Sequence, residues 1–414
     1  MIPTFTQTYD LLIKGGRVLD AGQAIDGQRD IAIAAGRISR IEANIDPKSA
    51  RRVLDATGKV VTPGLVDIHT HVAGGLRRAD AEETMLPPDV TGVGAGVTTV
   101  VDQGSTGALN IGGLLNYVMP HAKTRVLCFI NVGTIGVMRA PEVRDASDID
   151  VKAGIAAILA RPDVIKGVKF RMVSPAVRTL GIELPKLAKE MADGGGVPVM
   201  VHVGDILKDD PAAAQLAPRL LSEVLTEGDI VTHTMSFHPG ALLSGAIGAP
   251  GSQRRLLPEA KEARKRGVLF DVGVGRANFS FEAAKAVLDA GIVPDTLSSD
   301  LTAGSRYAGP TYSLTECMGK LMSVGLSLAD VVRMTTSNAA KALRMQKELG
   351  SLQTGRAADV SVLEVVEGDF VFHDITGATN RGRRAVRPVC AVRAGEVMPL
   401  DYGPRPWGWL PDGA

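Results

Sequence analysis

Between residues 61 and 348 the chain repeats one alternation. A short apolar run rich in β-branched residues is followed by a longer stretch with helical spacing. The apolar runs are Leu65–His71, Val97–Gln103, Val126–Val132, Ile165–Met172, Val197–Val203, Ile230–Met235, Val268–Val274 and Thr296–Leu301, eight in all. Runs of this length bounded by turn residues read as buried strands. Between them, Val151–Leu159, Leu184–Met191, Ala212–Leu225, Pro258–Arg266 and Phe281–Ala290 place apolar residues at helical intervals. Eight βα units in under 300 residues predict an α/β fold, a (β/α)8 TIM barrel rather than an open doubly wound sheet.

The two ends follow another grammar. Tyr9–Ile13 precedes Gly15-Gly16, Ile31–Ala34 and Ile38–Ile41 flank a turn at Gly36, and Val53-Leu54 precedes Thr57-Gly58. Asp359–Val365, Val386–Ala394 and Glu396-Val397 repeat the pattern near the C-terminus. Strands of four to six residues with glycine-containing turns predict hairpins. The simplest organisation is a small β-sandwich domain built from both termini, with the barrel inserted: residues 1–60, 61–348 and 349–414.

Composition narrows the class. Hydrophobic residues are 45% of 414, enough for a large core, and 46 basic against 45 acidic residues leave a formal charge of +1. That balance offers no electrostatic footprint for nucleic acid or an anionic membrane. Cys128, Cys317 and Cys390 are isolated and do not suggest a disulfide framework. The start lacks a basic segment followed by an apolar one, and no apolar run approaches the ~18 residues of a membrane span. A cytoplasmic setting is the expectation.

In a barrel of this kind the active site forms at the C-terminal ends of the strands. There the chain places His69 and His71, Lys169 and Arg171, His202, His233 and Asp300, with His238 in the following loop of strand six. Residues two apart on a strand share a face, so His69 and His71 point into the mouth together, as do Lys169 and Arg171. Lys166, three residues earlier, faces the other way. Four of the seven histidines fall on three strand ends. Neutral imidazoles clustered with a carboxylate suit Zn²⁺ and similar divalent ions. Asp67 shares the His69 face but lies deeper and reads as a hydrogen-bond partner. Arg171 at the mouth suits a substrate carboxylate, gripped by two parallel hydrogen bonds, or an ion pair within the barrel. His238 is a candidate substrate contact, and Arg276 a second carboxylate candidate. His121 and His373 read as surface residues.

The string Thr62-Pro63-Gly64-Leu65-Val66-Asp67-Ile68-His69-Thr70-His71 resembles the signature of the amidohydrolase superfamily, as does Gly350-Ser351-Leu352 through Gly355-Arg356-Ala357-Ala358-Asp359-Val360. The resemblance implies two divalent metal ions, with Zn²⁺ the default. His69 and His71 would hold the more buried ion, and His202 and His233 the more exposed one. Lys169, carbamylated by CO2, would bridge them, and Asp300 would be the last ligand and the general base toward a bridging hydroxide. Dihydroorotases carry an Arg two residues after the second His; here that position is Ala73. D-aminoacylases carry a bridging Cys at the end of strand two; here the stretch is Val101-Asp102-Gln103-Gly104. Gly96–Ser105 and Gly167–Met172 resemble a dihydroorotase-like group of deacetylases. That resemblance implies hydrolysis of an ester or amide bond in a small acylated carboxylic acid, such as an acetylated α-hydroxy acid or acyl-amino acid. The alternative is a cyclic amide hydrolase of the dihydroorotase, hydantoinase or allantoinase kind. A homo-oligomer is also implied.

Overall fold

The computed structural model describes residues 8–75, 85–244, 254–401, 403 and 409–411. Seven strands lie side by side in chain order: Leu65–Thr70, Val97–Gln103, Arg125–Asn131, Ile165–Arg171, Val199–His202, Ile230–Thr232 and Leu269–Phe270. All their pairings are parallel. The eighth segment closes the ring through single bridges at both ends, Asp271 with Thr296 and Thr70 with Leu301. Backbone bonds fill the seam: Val272 N to Thr296 O, Val274 N to Ser298 O, and Asp300 N to His69 O at 2.7 Å. The barrel expected from eight apolar runs is the fold observed.

Where strands stop short of the predicted runs, the backbone explains it. Strand six was expected to reach Met235 but ends at Thr232, because His233 has φ 69. Strand seven shrinks to two residues because Gly273 and Gly275 take φ 52 and 60. The chain still donates across the seam there, but not as an extended strand. Asp300, at the end of the eighth segment, has φ 50. A left-handed conformation costs a residue with a Cβ ~1–2 kcal/mol. Two such residues, both polar, mark one end of the barrel as the place to search for chemistry.

That end has a packed floor. Val101, Leu127, Phe129, Met200 and Ile230 belong to one buried cluster. Each stands two residues before, or in the case of Leu127 four residues before, a polar strand end: Gln103, Asn131, His202 and Thr232. Strand parity therefore stacks apolar residues below and polar residues above. Gly167 pairs with Phe129 across the sheet. A Cβ at 167 would lie 2.2 Å from Phe129 Cε2, so the ring occupies the space that the missing side chain leaves.

The terminal strands form one eight-stranded sheet ordered Glu396–Met398, Thr379–Arg393, Val360–His373, Val60–Pro63, Tyr9–Asp20, Ile25–Ala34 and Arg37–Glu42, with Ala50–Asp55 also paired to Tyr9–Asp20. Leu11, Ile13, Ile31 and Ile33 from the N-terminal part share a buried cluster with Val360, Val362 and Val392 from the C-terminal part. Val60–Pro63 lies in this sheet, so it extends past the division drawn at residue 60. The Ser361 hydroxyl ties it to the barrel, donating to Gly96 O at 2.7 Å and accepting from Leu65 N at 3.0 Å. These contacts lie at the strand starts, so the opposite, polar end is left to the loops. Among the described residues no helix is long and apolar enough to cross a membrane.

Gly167→Ala is expected to destabilise the fold by about 1–3 kcal/mol through overpacking against Phe129. Chemical denaturation of the two proteins measures the difference; an equally stable variant would show that the floor yields.

Candidate metal centre

The site is oriented from below by two buried carboxylates. Asp271 accepts from Thr232 Oγ1 at 2.7 Å, Thr296 Oγ1 at 2.8 Å and Ser298 Oγ at 2.6 Å. Thr232 has one hydroxyl proton and gives it to Asp271. His69 Nδ1, 3.2 Å from the same oxygen, is then the donor of its pair. This leaves the lone pair of His69 on Nε2, which faces Asp300 Oδ1 at 3.2 Å and Lys169 Nζ at 3.2 Å. Asp67 accepts from the Ser299 hydroxyl and amide and from the His69 amide, so it braces strand one against the segment carrying Asp300. Burial pushes its carboxyl up to about 7 against those hydrogen bonds.

The other rings are held in the same manner. His71 Nδ1 contacts Ser105 Oγ at 3.1 Å and its Nε2 lies 3.3 Å from Asp300 Oδ1. His233 Nδ1 meets Gly273 O at 2.7 Å, so its Nε2 carries the lone pair; that atom is buried and has no hydrogen-bond partner. His202 Nε2 meets Gly204 O at 3.0 Å, which leaves Nδ1 as its acceptor atom. The His202 and His233 rings lie 4.1 Å apart between centroids, and His69 lies 5.1 Å from His233. His69, His71 and Asp300 offer ligand atoms all within 4.8 Å of one another.

Burial sets the protonation states. It drives His69 and His202 well below the ordinary imidazole range and His233 down to about 3, with the Lys169 charge adding to the effect at each. These rings are neutral, which is the form that binds a metal. Burial lowers the Lys169 amine to about 7, although Asp300 and Asp271 oppose the shift. Burial alone would raise Asp300, but its hydrogen bond with His71 and the nearby Lys169 hold it below the usual carboxylate range. An orphaned imidazole nitrogen, three neutral rings and an anionic carboxylate make a donor set that fits divalent cations.

The cluster opens into a cavity of about 420 Å³ whose wall includes His69, His71, Lys169, His202 and Asp300. Arg171 reaches this wall too, but its fork is taken. Nε donates to Glu142 Oε1 at 2.6 Å and the second nitrogen to Oε2. Burial disfavours the guanidinium charge, yet Glu142 holds the Arg171 pKa above its ordinary value. Of the two readings open for Arg171, the ion pair within the barrel is therefore the one observed. The expectation that it waits for a substrate carboxylate missed Glu142, which arrives from the loop after strand three. His238 does not line the cavity. Its ring joins Asp209 Oδ1 at 2.7 Å to Ala277 O at 2.8 Å, stapling the loop after strand five to the loop after strand seven. Lys166 turns away, donating to Pro162 O. His121 is exposed and His373 half-buried in the terminal hairpin.

Three wall residues beyond the histidine cluster carry unused hydrogen-bonding capacity. Gln103 donates to Ile68 O at 2.7 Å and Asn278 to Asp300 Oδ2 at 3.2 Å, and in both the amide oxygen is buried without a partner. Arg276 is exposed and makes no hydrogen bond or ion pair among the described residues. Gln103, like Asp271 and Thr232, stands at a strand end facing inward, and that parity was the signal available for finding them.

The model of the Amidohydrolase family matches residues 60–396. The chain belongs to the amidohydrolase family. It is similar to a deacetylase of Brucella anthropi, 31% identical over 385 residues, with 92% of this chain and 90% of that protein covered. Among solved structures, an adenine deaminase superposes with a TM-score of 0.83 at 27% identity, covering 94% of this chain and all of that one. A dihydroorotase superposes with a TM-score of 0.81 at 29% identity, over 94% and 99% of the two chains. This amidohydrolase thus shares its fold with relatives named for different chemistry, and the wall of its cavity has to separate them.

Removing one partner of a buried ion pair strands the other. Glu142→Ala is expected to destabilise this amidohydrolase by about 3–5 kcal/mol, and adding Arg171→Met to recover part of that loss. Urea denaturation of the single and double variants checks this; a Glu142→Ala protein as stable as the parent would mean Arg171 is not held by Glu142.

Proposed function

We propose that this chain is a metal-dependent hydrolase that removes an acyl group from a small carboxylic acid, cleaving an ester or amide bond. The observation that carries this reading is the convergence of the His69 and His71 imidazoles on Asp300 inside one cavity, beside a lysine whose amine is lowered to about 7. His69 and His71 would hold one divalent ion and His202 and His233 another, with Zn²⁺ the expected metal. A neutral Lys169 amine is nucleophilic toward CO2, and its carbamate would supply an oxygen to each ion. Divalent ions held there supply Lewis acidity toward an acyl carbonyl and lower the pKa of water.

The residues of the chain do the positioning and the proton transfer. Asp300 presents Oδ1 to His69 and His71 and Oδ2 to Asn278, so its carboxylate is fixed at the edge of the cluster. It stays ionised and can take the proton of the attacking water. As the carbon–oxygen or carbon–nitrogen bond breaks, the same proton passes to the leaving atom, giving a free acid and an alcohol or amine. Asp271 and Thr232 keep the Nε2 of His69 unprotonated throughout.

The similarity to a deacetylase over nine-tenths of both chains supports the acyl-acid reading. A second reading, opening of a cyclic amide, is favoured by the dihydroorotase superposition. Against it stands Ala73, fully buried where dihydroorotases carry their carboxylate-gripping Arg. A cytoplasmic homo-oligomer acting on a small molecule, with no nucleic-acid or membrane partner, completes the proposal.

Asp300→Asn is expected to fold as the parent does and to lose about 10³-fold or more in kcat, since it removes the base. Circular dichroism and steady-state rates on acetylated hydroxy acids, acyl-amino acids, dihydroorotate and hydantoins test the role and the substrate class together; an active Asp300→Asn variant removes Asp300 from the mechanism. Elemental analysis is expected to find two metal equivalents per chain. ¹³C NMR after growth with labelled bicarbonate is expected to show a carbamate signal that Lys169→Met abolishes, and its absence in the parent enzyme would refute the bridge.

A further inference from the structure

Building on the acyl-acid reading, we infer that Arg276 and Asn278 together select an N-acyl α-amino acid, Arg276 holding its carboxylate and Asn278 accepting its amide N–H. The two residues sit two apart on the loop that follows Leu269–Phe270, and both line the cavity.

The argument starts from Asn278. Its Nδ2 donates to Asp300 Oδ2, which fixes the orientation of the amide. The remaining oxygen, Oδ1, is buried and unpartnered. Asn278 is 2% exposed, and an acceptor left unmatched at that depth costs about 1–3 kcal/mol. A group that receives a proton from Asp300 lies next to this oxygen, because Asn278 grips the same carboxylate. In deacylation that group is the leaving atom. An amide nitrogen arrives there with an N–H that Asn278 Oδ1 can accept. An ester oxygen arrives with lone pairs only and faces another acceptor. The wall therefore prefers a nitrogen leaving group.

Arg276 supplies the second half. Of the cations on the wall, Lys169 faces the histidines and Arg171 is bound to Glu142. Arg276 alone has no described partner, and its guanidinium lies over Gly304: a Cβ at 304 would be 2.9 Å from Nη1. Gly304 leaves room for the guanidinium where any side chain would crowd it. In an N-acyl α-amino acid the carboxylate is joined to the scissile nitrogen through one carbon. The two recognised groups are thus neighbours in the substrate, as their readers are neighbours in the chain.

The test uses the full-length, metal-loaded enzyme and four matched compounds: an N-acetyl α-amino acid, its N-methyl derivative, its primary carboxamide, and the O-acetyl α-hydroxy acid of the same side chain. In the parent enzyme, replacing the carboxylate by the carboxamide is expected to lower kcat/KM about 10–100-fold and N-methylation about 10-fold. In Arg276→Met the carboxamide penalty is expected to vanish while the N-methyl penalty persists. In Asn278→Ala all rates fall with the lost contact to Asp300, the N-methyl penalty vanishes and the carboxamide penalty persists. The activity ratio of N-acetyl to O-acetyl substrate is also expected to fall about 10-fold in Asn278→Ala. Penalties that survive unchanged in their variants overturn the inference while leaving the deacylase reading intact. A parent enzyme that cleaves none of the four but opens hydantoins or dihydroorotate overturns both.

Discussion

The hydroxyl of Thr232 has one proton to give, and Asp271 takes it. His69 is then the donor at Nδ1 and presents a bare Nε2 to the cavity. Three strands meet in this short relay, the two that carry His69 and Thr232 and the one that Asp271 directly follows. Asp67 braces strand one against the segment that bears Asp300. A ring free to flip would offer its N–H half the time; Asp271, through Thr232, removes that freedom before any ligand arrives, while Asp67 fixes the backbone of His69. Their cost is desolvation, visible in the raised pKa of each. Hydroxyl and amide donors offset it without introducing another charge.

The same end of the barrel concentrates backbone strain. His233 and Asp300 both take left-handed conformations, and the flanking Gly273 and Gly275 do so without a Cβ to resist. The glycines leave little room for side chains. A Cβ at 273 would fall 2.2 Å from Thr232 Oγ1, and one at 275 would fall 2.3 Å from Asp300 Oδ2. These are therefore positions where the backbone passes close under the functional groups. The irregular end of strand seven is what allows the carbonyl of Gly273 to reach His233 Nδ1.

Much of this was legible beforehand. Regular alternation of buried strands and amphipathic helices leaves few architectures, strand-end position placed His69, His71, Lys169, His202, His233 and Asp300 around one mouth, and parity aligned His69 with His71 and Lys169 with Arg171. Parity speaks of direction and is silent on partners. It pointed Arg171 correctly toward the wall, yet Glu142 sits 29 residues earlier in a loop with no periodic signature. His238 was a candidate only through its place in the loop after strand six, and loop geometry turns its ring onto Asp209 and Ala277. The eighth strand was readable as an apolar run, but nothing in its composition told that it would be held by isolated bridges and seam bonds. The roles of Gln103 and Asn278 were hidden for a related reason. An amide has two ends, and only the hydrogen bond made by one end reveals where the other points.

The His238 staple bears on how such a site can change. The loops after strands five and seven both contribute to the cavity wall, through Ile206 and Leu207 on one and Arg276, Ala277 and Asn278 on the other. Joined through a single imidazole, they are mechanically one flap rather than two. Remodelling either loop alone breaks a contact that the other relies on for its shape. Divergence of substrate preference in this architecture would then proceed by paired exchange of the two loops.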